Sequence, residues 1–410
     1  MITAREIETR PAKLQAALIK ITEALARELA CPAKAAPDWS ELEWTLARAV
    51  CAMHGVAALL ARTLRWRGPD QWTKFLEQQR AHVIDRHARI EHLLLRIDRS
   101  ACEAGLPMMA LKGAALHAIG LYEPGERPMA DVDLLVQPQD AERSARVLES
   151  LGFRECSRSW KERVFVPLDG HAAGALGEHR DNDIKIELHE RICERLPLRI
   201  TDITNSVFPP RARPGLNGYA SSAALMAHLL LHAAGSMTDQ GLRLLHLHDL
   251  ALLTRHMTEA DWDELLAQRS TERGLWWALP PLELMLRYYL LPIPARVHRA
   301  LESDCPWLLR RSGGRRTLSE VSYSHLWVDA FPGIEWSQSI RDLLSYARSR
   351  VRPDAQHLAF RKMVVATQGW AAGDQWASLS QARRIWRWMT ARQARPATMH
   401  VLRAVLKQAQ

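Results

Sequence analysis

The sequence predicts an α+β fold that is predominantly helical, with a small mixed β-sheet core between N- and C-terminal helical regions. Three observations predict it. Apolar residues recur at helical spacing through the first hundred positions, as in Leu14, Leu18, Ile21 and Leu25. The texture then changes to short apolar runs broken by glycine and proline, among them Pro107-Met-Met-Ala-Leu111 and Asp131–Val136. Beyond Pro209-Pro210 helical spacing returns and continues to the end. The expected division is a helical region over 1–100, a catalytic core over 101–200 and a helical region over 201–410.

The elements follow in order. Trp44 to Leu64 carries a second apolar stripe, and 69–104 runs without a breaker to Gly105, a suitable C-cap. Pro107–Leu111 suits a buried strand and Ala114–Ile119 a helix, with turn-rich Tyr122–Arg127 after it. Strand Asp131–Val136 precedes a helix from Gln139 to Ser150 closed by Gly152. Lys161–Leu168 and Asp183–Leu188 are strand candidates, joined by a loop over His171–Arg180, and Ser221–Ala234 is a helix.

With 410 residues, ordinary hydrophobic content (47%) and six scattered cysteines, the chain is globular, with neither a zinc-finger spacing nor a disulfide framework. Charged residues precede any apolar run at the N-terminus, and no stretch has the length of a membrane span, so a cytoplasmic protein is expected. The net charge of +9 is localised. Residues 301–410 carry 17 Lys+Arg against 8 Asp+Glu, and the preceding 300 hold 38 of each sign. There Trp370, Trp376, Trp386 and Trp388 interleave with Arg383, Arg384 and Arg387. Basic plus aromatic is what a nucleic-acid surface needs. Solvated arginines around core tryptophans is the plainer reading and the one adopted, because charge asymmetry alone is a weak pointer.

The chemistry concentrates in Met129-Ala-Asp-Val-Asp-Leu-Leu-Val136. In a strand, Asp131 and Asp133 project to one face while Val132 and Leu134 enter a core. Two carboxylates so close repel unless a cation holds them, and Mg²⁺ takes hard oxygen ligands together with substrate phosphates. A third carboxylate is found in Asp183-Ile-Lys-Ile-Glu-Leu-His189, whose alternation sets Asp183, Lys185, Glu187 and His189 on one face; Glu187 is central, with Asp183 second. On its own this strand reads as an exposed edge.

Lys112-Gly113, a turn before a helical stretch, together with Arg127 and Asp131-Val-Asp-Leu-Leu-Val136, resembles the DNA polymerase β-type nucleotidyltransferase superfamily. More narrowly it looks like a bacterial family usually labelled nucleotidyltransferase family protein. The resemblance covers roughly residues 100 to 250; the chain has Gly113-Ala114 where the superfamily commonly has Gly-Ser or Gly-Gly. It implies an ATP-binding, metal-dependent nucleotidyltransferase. Asp131, Asp133 and Glu187 would be the catalytic and metal-binding residues. Lys112, Gly113, Ala114 and Arg127 would bind the nucleotide, with Mg²⁺ (or Mn²⁺) as cofactor. Glycine lets the backbone approach a phosphate and lysine adds a point charge. Arg127 alone is divided between a substrate contact and a salt bridge to Glu123 or Glu126, and the resemblance favours the substrate.

The partners implied are an NTP donor and a hydroxyl-bearing small-molecule, peptide or protein acceptor. A nucleotide-binding regulatory protein without turnover and an RNA-modifying transferase are the alternatives. The acidic set argues against the first, since clustered carboxylates with no metal to hold would only repel, and no RNA-binding module is recognisable for the second. His228 and His232, four apart on one helix face, lack a third soft ligand at useful spacing; with Arg243, His246 and Asp249 they read as packing or as base and ribose contacts rather than as zinc ligands. His189 reads as a hydrogen-bonded strand residue.

Overall fold

A six-stranded mixed sheet sits against one very long helix. In this computed structural model residues 11–170, 176–270, 274–353, 358 and 379–408 are described; Trp370 and Trp376, with the start of the expected 171–180 loop, lie outside them. The described chain is predominantly helical, as predicted.

The helices begin with α1 (Pro11–Ala30), whose Leu14, Leu18, Ile21 and Leu25 are all buried. The stripe from Trp44 to Leu64 is two helices, α2 (Glu41–His54) and α3 (Ala57–Thr63). The break falls at Gly55, whose φ of +67° is left-handed. Ser40 opens α2 with a reciprocal capping box to Glu43. Helix α4 (Asp70–Glu103) runs unbroken for 34 residues to Gly105 at φ +65°.

Strand β1 (Pro107–Ala110) leads through helix α5 (Lys112–Ala118) to β2 (Asp131–Val136), which has the predicted bounds. Helix α6 (Ala141–Ser150) then gives way to β3 (Phe153–Arg158), β4 (Glu162–Pro167) and β5 (Lys185–His189). A separate hairpin, β6 (Cys193–Leu196) with β7 (Arg199–Asp202), follows. The return to helices after Pro210 is not immediate. The short strand β8 (Gly215–Asn217) first pairs in parallel with β1; three residues leave no periodicity to read.

The sheet order is β3-β4-β5-β2-β1-β8, with β2 and β5 parallel and β1–β2, β3–β4 and β4–β5 antiparallel. The β5 strand, which alone reads as an edge, is therefore interior, between β4 and β2. One sheet face carries Val132, Leu134, Val136, Ile184, Ile186 and Leu188, packed with Ile90, Leu93 and Ile97 of α4 and Ala145 and Leu148 of α6. Alternation sends Asp131, Asp133, Glu187 and His189 to the other face.

Over that second face lie α7 (Ser222–Thr238) and α8 (Leu244–His256). Helix α7 is buried almost all round, which its apolar sequence Ala223–Ala227, Leu229–Leu231 permits. The two belong to a second core shared with α1, α2 and the later α9 (Leu279–Tyr289). No single described helix is long and apolar enough to cross a membrane.

Candidate active site

The strand register assembles the acidic set. Pairing of β2 with β5 places Asp133 opposite Glu187 and Asp131 opposite Lys185. All seven residues expected at the site, Lys112, Gly113, Ala114, Arg127, Asp131, Asp133 and Glu187, line one cleft of about 340 Å³. Its opposite wall is helical: His232 and Ser236 from α7 and Arg243, His246 and Asp249 from the start of α8. Asp183, the second choice for the third carboxylate, does not line it.

Asp133 is the hub. Its Oδ1 accepts from Lys112 Nζ at 2.7 Å and lies 3.1 Å from His189 Nε2. His189 Nε2 is also 3.8 Å from Glu187 Oε2. Asp133, Glu187 and His189 are the described residues whose ligand atoms gather within 4.8 Å, close enough for one metal ion. Asp131 shares the face one pleat earlier and lies outside that group. His189 is thus hydrogen-bonded as expected, and it also completes a cluster the sequence had drawn from carboxylates alone.

Electrostatics follow from this crowding. Burial disfavours the Asp133 carboxylate, but Lys112 and His189 outweigh it and hold its pKa well below the usual value. Burial also opposes the Lys112 ammonium, and Asp133, Glu187 and Asp131 more than compensate, so it is held firmly charged. Burial and then Asp133 push the Asp131 carboxyl up. Burial, Asp131 and Asp133 push the Glu187 carboxyl up to about 9. A divalent cation would relieve this repulsion.

Lys112 opens α5 with φ +45°, a conformation uncommon for a side-chain-bearing residue. Such outliers persist where surrounding contacts over-determine them, here the tether to Asp133 and a hydrogen bond from Lys112 N–H to Tyr219 Oη at 3.3 Å. Beside it, Gly113 has no room for a side chain: a Cβ would stand 2.2 Å from Arg127 Nη1 and 2.9 Å from Met129 Cγ. Helix α5 is only seven residues long, so its dipole is small and the positive charge at this turn is that of Lys112.

Arg127 is buried and donates twice to Asp249, Nε to Oδ1 at 2.9 Å and Nη2 to Oδ2 at 2.8 Å. Its ion pair is with neither Glu123 nor Glu126; Glu126 pairs with Arg62. Tyr122 Oη donates to Asp249 at 2.6 Å and completes the lock. The partner lies 122 positions away, beyond the reach of local spacing.

Arg86 was not singled out from the sequence, where it is one polar residue in a long amphipathic helix. It is 2% exposed. Its Nη2 donates to the carbonyls of Met129 (3.2 Å) and Ala130 (3.1 Å), just before β2. Its Nη1 donates to Asn182 O at 2.6 Å, shortly before β5, and its Nε is 3.0 Å from Glu178 Oε2. One guanidinium thereby ties together the approaches to both acidic strands.

The histidine pair of α7 holds no third ligand among the described residues. His228 Nδ1 is 2.7 Å from Tyr219 Oη, and the His232 ring packs on His246 with centroids 4.8 Å apart. Packing is what these contacts provide.

Among known proteins, the family model described as "Uncharacterised nucleotidyltransferase" matches residues 40–287, more than half of the chain, and runs from α2 into α9 with every cleft residue named above. No curated protein and no solved structure matches. The strand-borne acidic set, the lysine–glycine turn and this match agree: the chain belongs to the uncharacterised nucleotidyltransferase family.

Proposed function

We propose that the protein moves an NMP group from an NTP to a hydroxyl-bearing small molecule, peptide or protein, using Mg²⁺ or Mn²⁺ held by Asp131, Asp133 and Glu187. The observation that carries this reading is the in-register pairing of Asp133 with Glu187 on the floor of a cleft that also contains the Lys112–Gly113 turn. The donor atoms fit such an ion: the Asp133 and Glu187 carboxylates gather with His189, Asp131 stands one pleat away on the same face, and Lys112 alone does not neutralise them. A bound divalent ion supplies charge neutralisation at the phosphates and aligns donor and acceptor oxygens.

The chain's own residues do the rest. Gly113 lets the backbone come close to the phosphate chain, and Lys112 offers a fixed positive charge. Arg127, locked by Asp249, keeps Nη1 beside that turn. Glu187, on the floor of the cleft, would take the acceptor's hydroxyl proton at its carboxylate. Acceptor choice belongs to the helical wall, where His232, Arg243 and His246 face the cleft.

The test supplies each α-labelled NTP with Mn²⁺ or Mg²⁺ and separate small-molecule, peptide and protein fractions. Label should move to one fraction with stoichiometric pyrophosphate release, and Asp133→Asn should abolish both. Label transfer that is indifferent to metal and to Asp133→Asn would refute the reading.

A further inference from the structure

We propose that His189 is itself a ligand of the divalent ion, making the centre a mixed carboxylate–imidazole site that selects a transition ion of the Mn²⁺ class over Mg²⁺. The inference deepens the nucleotidyl-transfer reading and rests on it.

The geometry points to direct ligation. His189 Nε2 lies 3.1 Å from Asp133 Oδ1 and 3.8 Å from Glu187 Oε2, on the side of the ring that faces the acidic cluster. Two donor atoms each about 2.1 Å from one ion, at roughly right angles, stand about 3 Å apart. The imidazole is therefore at ligand spacing from Asp133 with no movement of the strands. The ring is also 2% exposed, so no bulk water competes for its nitrogen.

The far side of the ring agrees. Across the β4–β5 register Glu162 is paired with His189, and Glu162 Oε2 is 3.9 Å from Nδ1. Metal-bound histidines characteristically direct their second N–H at a carboxylate, which fixes the tautomer and makes the ligating nitrogen more basic. Without the ion the Nε2–H donates to Asp133 Oδ1; with the ion bound the ring would hold its proton on Nδ1, facing Glu162, and leave the Nε2 lone pair for the metal. Lys112 also uses Asp133 Oδ1, but a carboxylate oxygen accepts more than one partner, so its ammonium does not bar the ion.

The donor set then decides the ion. Mg²⁺ takes hard oxygen ligands; Mn²⁺ also accepts carboxylates but, as the first of the divalent transition series, binds an added imidazole more readily than Mg²⁺ does. His232 and His246 line the same cleft but are not among the residues whose ligand atoms gather, so the nitrogen is assigned to His189.

Mn²⁺-loaded protein, without nucleotide, is examined by pulsed electron paramagnetic resonance, and Mn²⁺ and Mg²⁺ affinities are measured by calorimetry. The wild type should show ¹⁴N coupling of a bound imidazole, retained in His232→Gln and His246→Gln and lost in His189→Gln. His189→Gln should lower the ratio of Mn²⁺ to Mg²⁺ affinity about tenfold. Should that variant fail to fold, Mn²⁺-loaded wild type grown with ¹⁵N-histidine must exchange the ¹⁴N signal for a ¹⁵N one. Bound Mn²⁺ without nitrogen coupling, or coupling that survives His189→Gln, overturns the inference while leaving nucleotidyl transfer standing. Failure to bind any divalent ion overturns both.

Discussion

Arg127 and Asp249, 122 positions apart, close on each other through two hydrogen bonds of 2.9 and 2.8 Å in the buried wall of the cleft. The pair joins the loop before the acidic strand to the helix that covers it. Both charges are held there by mutual geometry, with Tyr122 adding a third donor to Asp249.

Removing one member leaves the other charge buried without a partner. Asp249→Leu should destabilise the protein by about 3–5 kcal/mol. The double variant Arg127→Met/Asp249→Leu should recover much of that loss, because two apolar side chains fill the space without a stranded charge. Urea unfolding of the wild type, Asp249→Leu, Arg127→Met and the double variant measures the coupling. Equal instability of the single and double variants would show that the pair acts only as packing.

Gly113→Ala should impair nucleotide binding more than its size suggests. The added methyl meets Arg127 Nη1, which cannot withdraw freely because Asp249 grips the same guanidinium. A cost of about 1–3 kcal/mol is expected for such overpacking. NTP affinity should drop at least about tenfold as the turn shifts, one decade per ~1.4 kcal/mol. An unchanged affinity would mean that the phosphates do not approach this turn.

Arg86→Met should remove the tie between the two acidic strands. Five polar partners are left behind: the carbonyls of Met129, Ala130, His179 and Asn182, and the Glu178 carboxylate. A loss of about 3 kcal/mol or more is expected. Arg86→Lys should rescue little, since an ammonium lacks the planar fork. Divalent-ion affinity should weaken in both variants. Full metal affinity in a folded Arg86→Met protein would contradict the positioning role.

His54 gives a pH dependence. Burial, and then the charge of Arg243, depress its pKa to about 3. Its Nδ1 accepts from the Leu244 N–H at 2.9 Å, at the first residue of α8, so the ring must stay neutral there. A folded pKa below the unfolded value means that the unfolded chain binds more protons below about pH 6.5. The contribution of His54 is therefore complete above that pH and declines as the pH falls towards 3. Between pH 6.5 and 5 the wild type should lose about 2 kcal/mol more than His54→Gln. Parallel unfolding free energies of the two proteins across this range would disprove it.

Alternation made the acidic face of the sheet legible. Asp131–Val136 and the Ile184–Ile186–Leu188 stripe each need one buried face, and a period of two cannot be satisfied otherwise. The limits of α4, set by Pro69 before it and Gly105 after it, were legible for a similar local reason. What escaped the sequence was nonlocal or too short. The interior place of β5 depends on two neighbours, one of them more than fifty positions earlier. Arg86 and Asp249 each sit among ordinary helical polar residues, and only the folded chain brings them to their partners. The split between α2 and α3 turned on Gly55, which a continuous apolar stripe conceals.

The central claim is that the acidic set binds an NTP through a divalent ion. Its most direct test is a calorimetric titration with each of the four NTPs, with and without Mg²⁺ or Mn²⁺, on wild type and on Asp131→Asn/Asp133→Asn. Saturable binding of at least one NTP is expected only when the ion is present, and is lost in the folded double variant. NTP binding that needs no ion and survives the double substitution would contradict it.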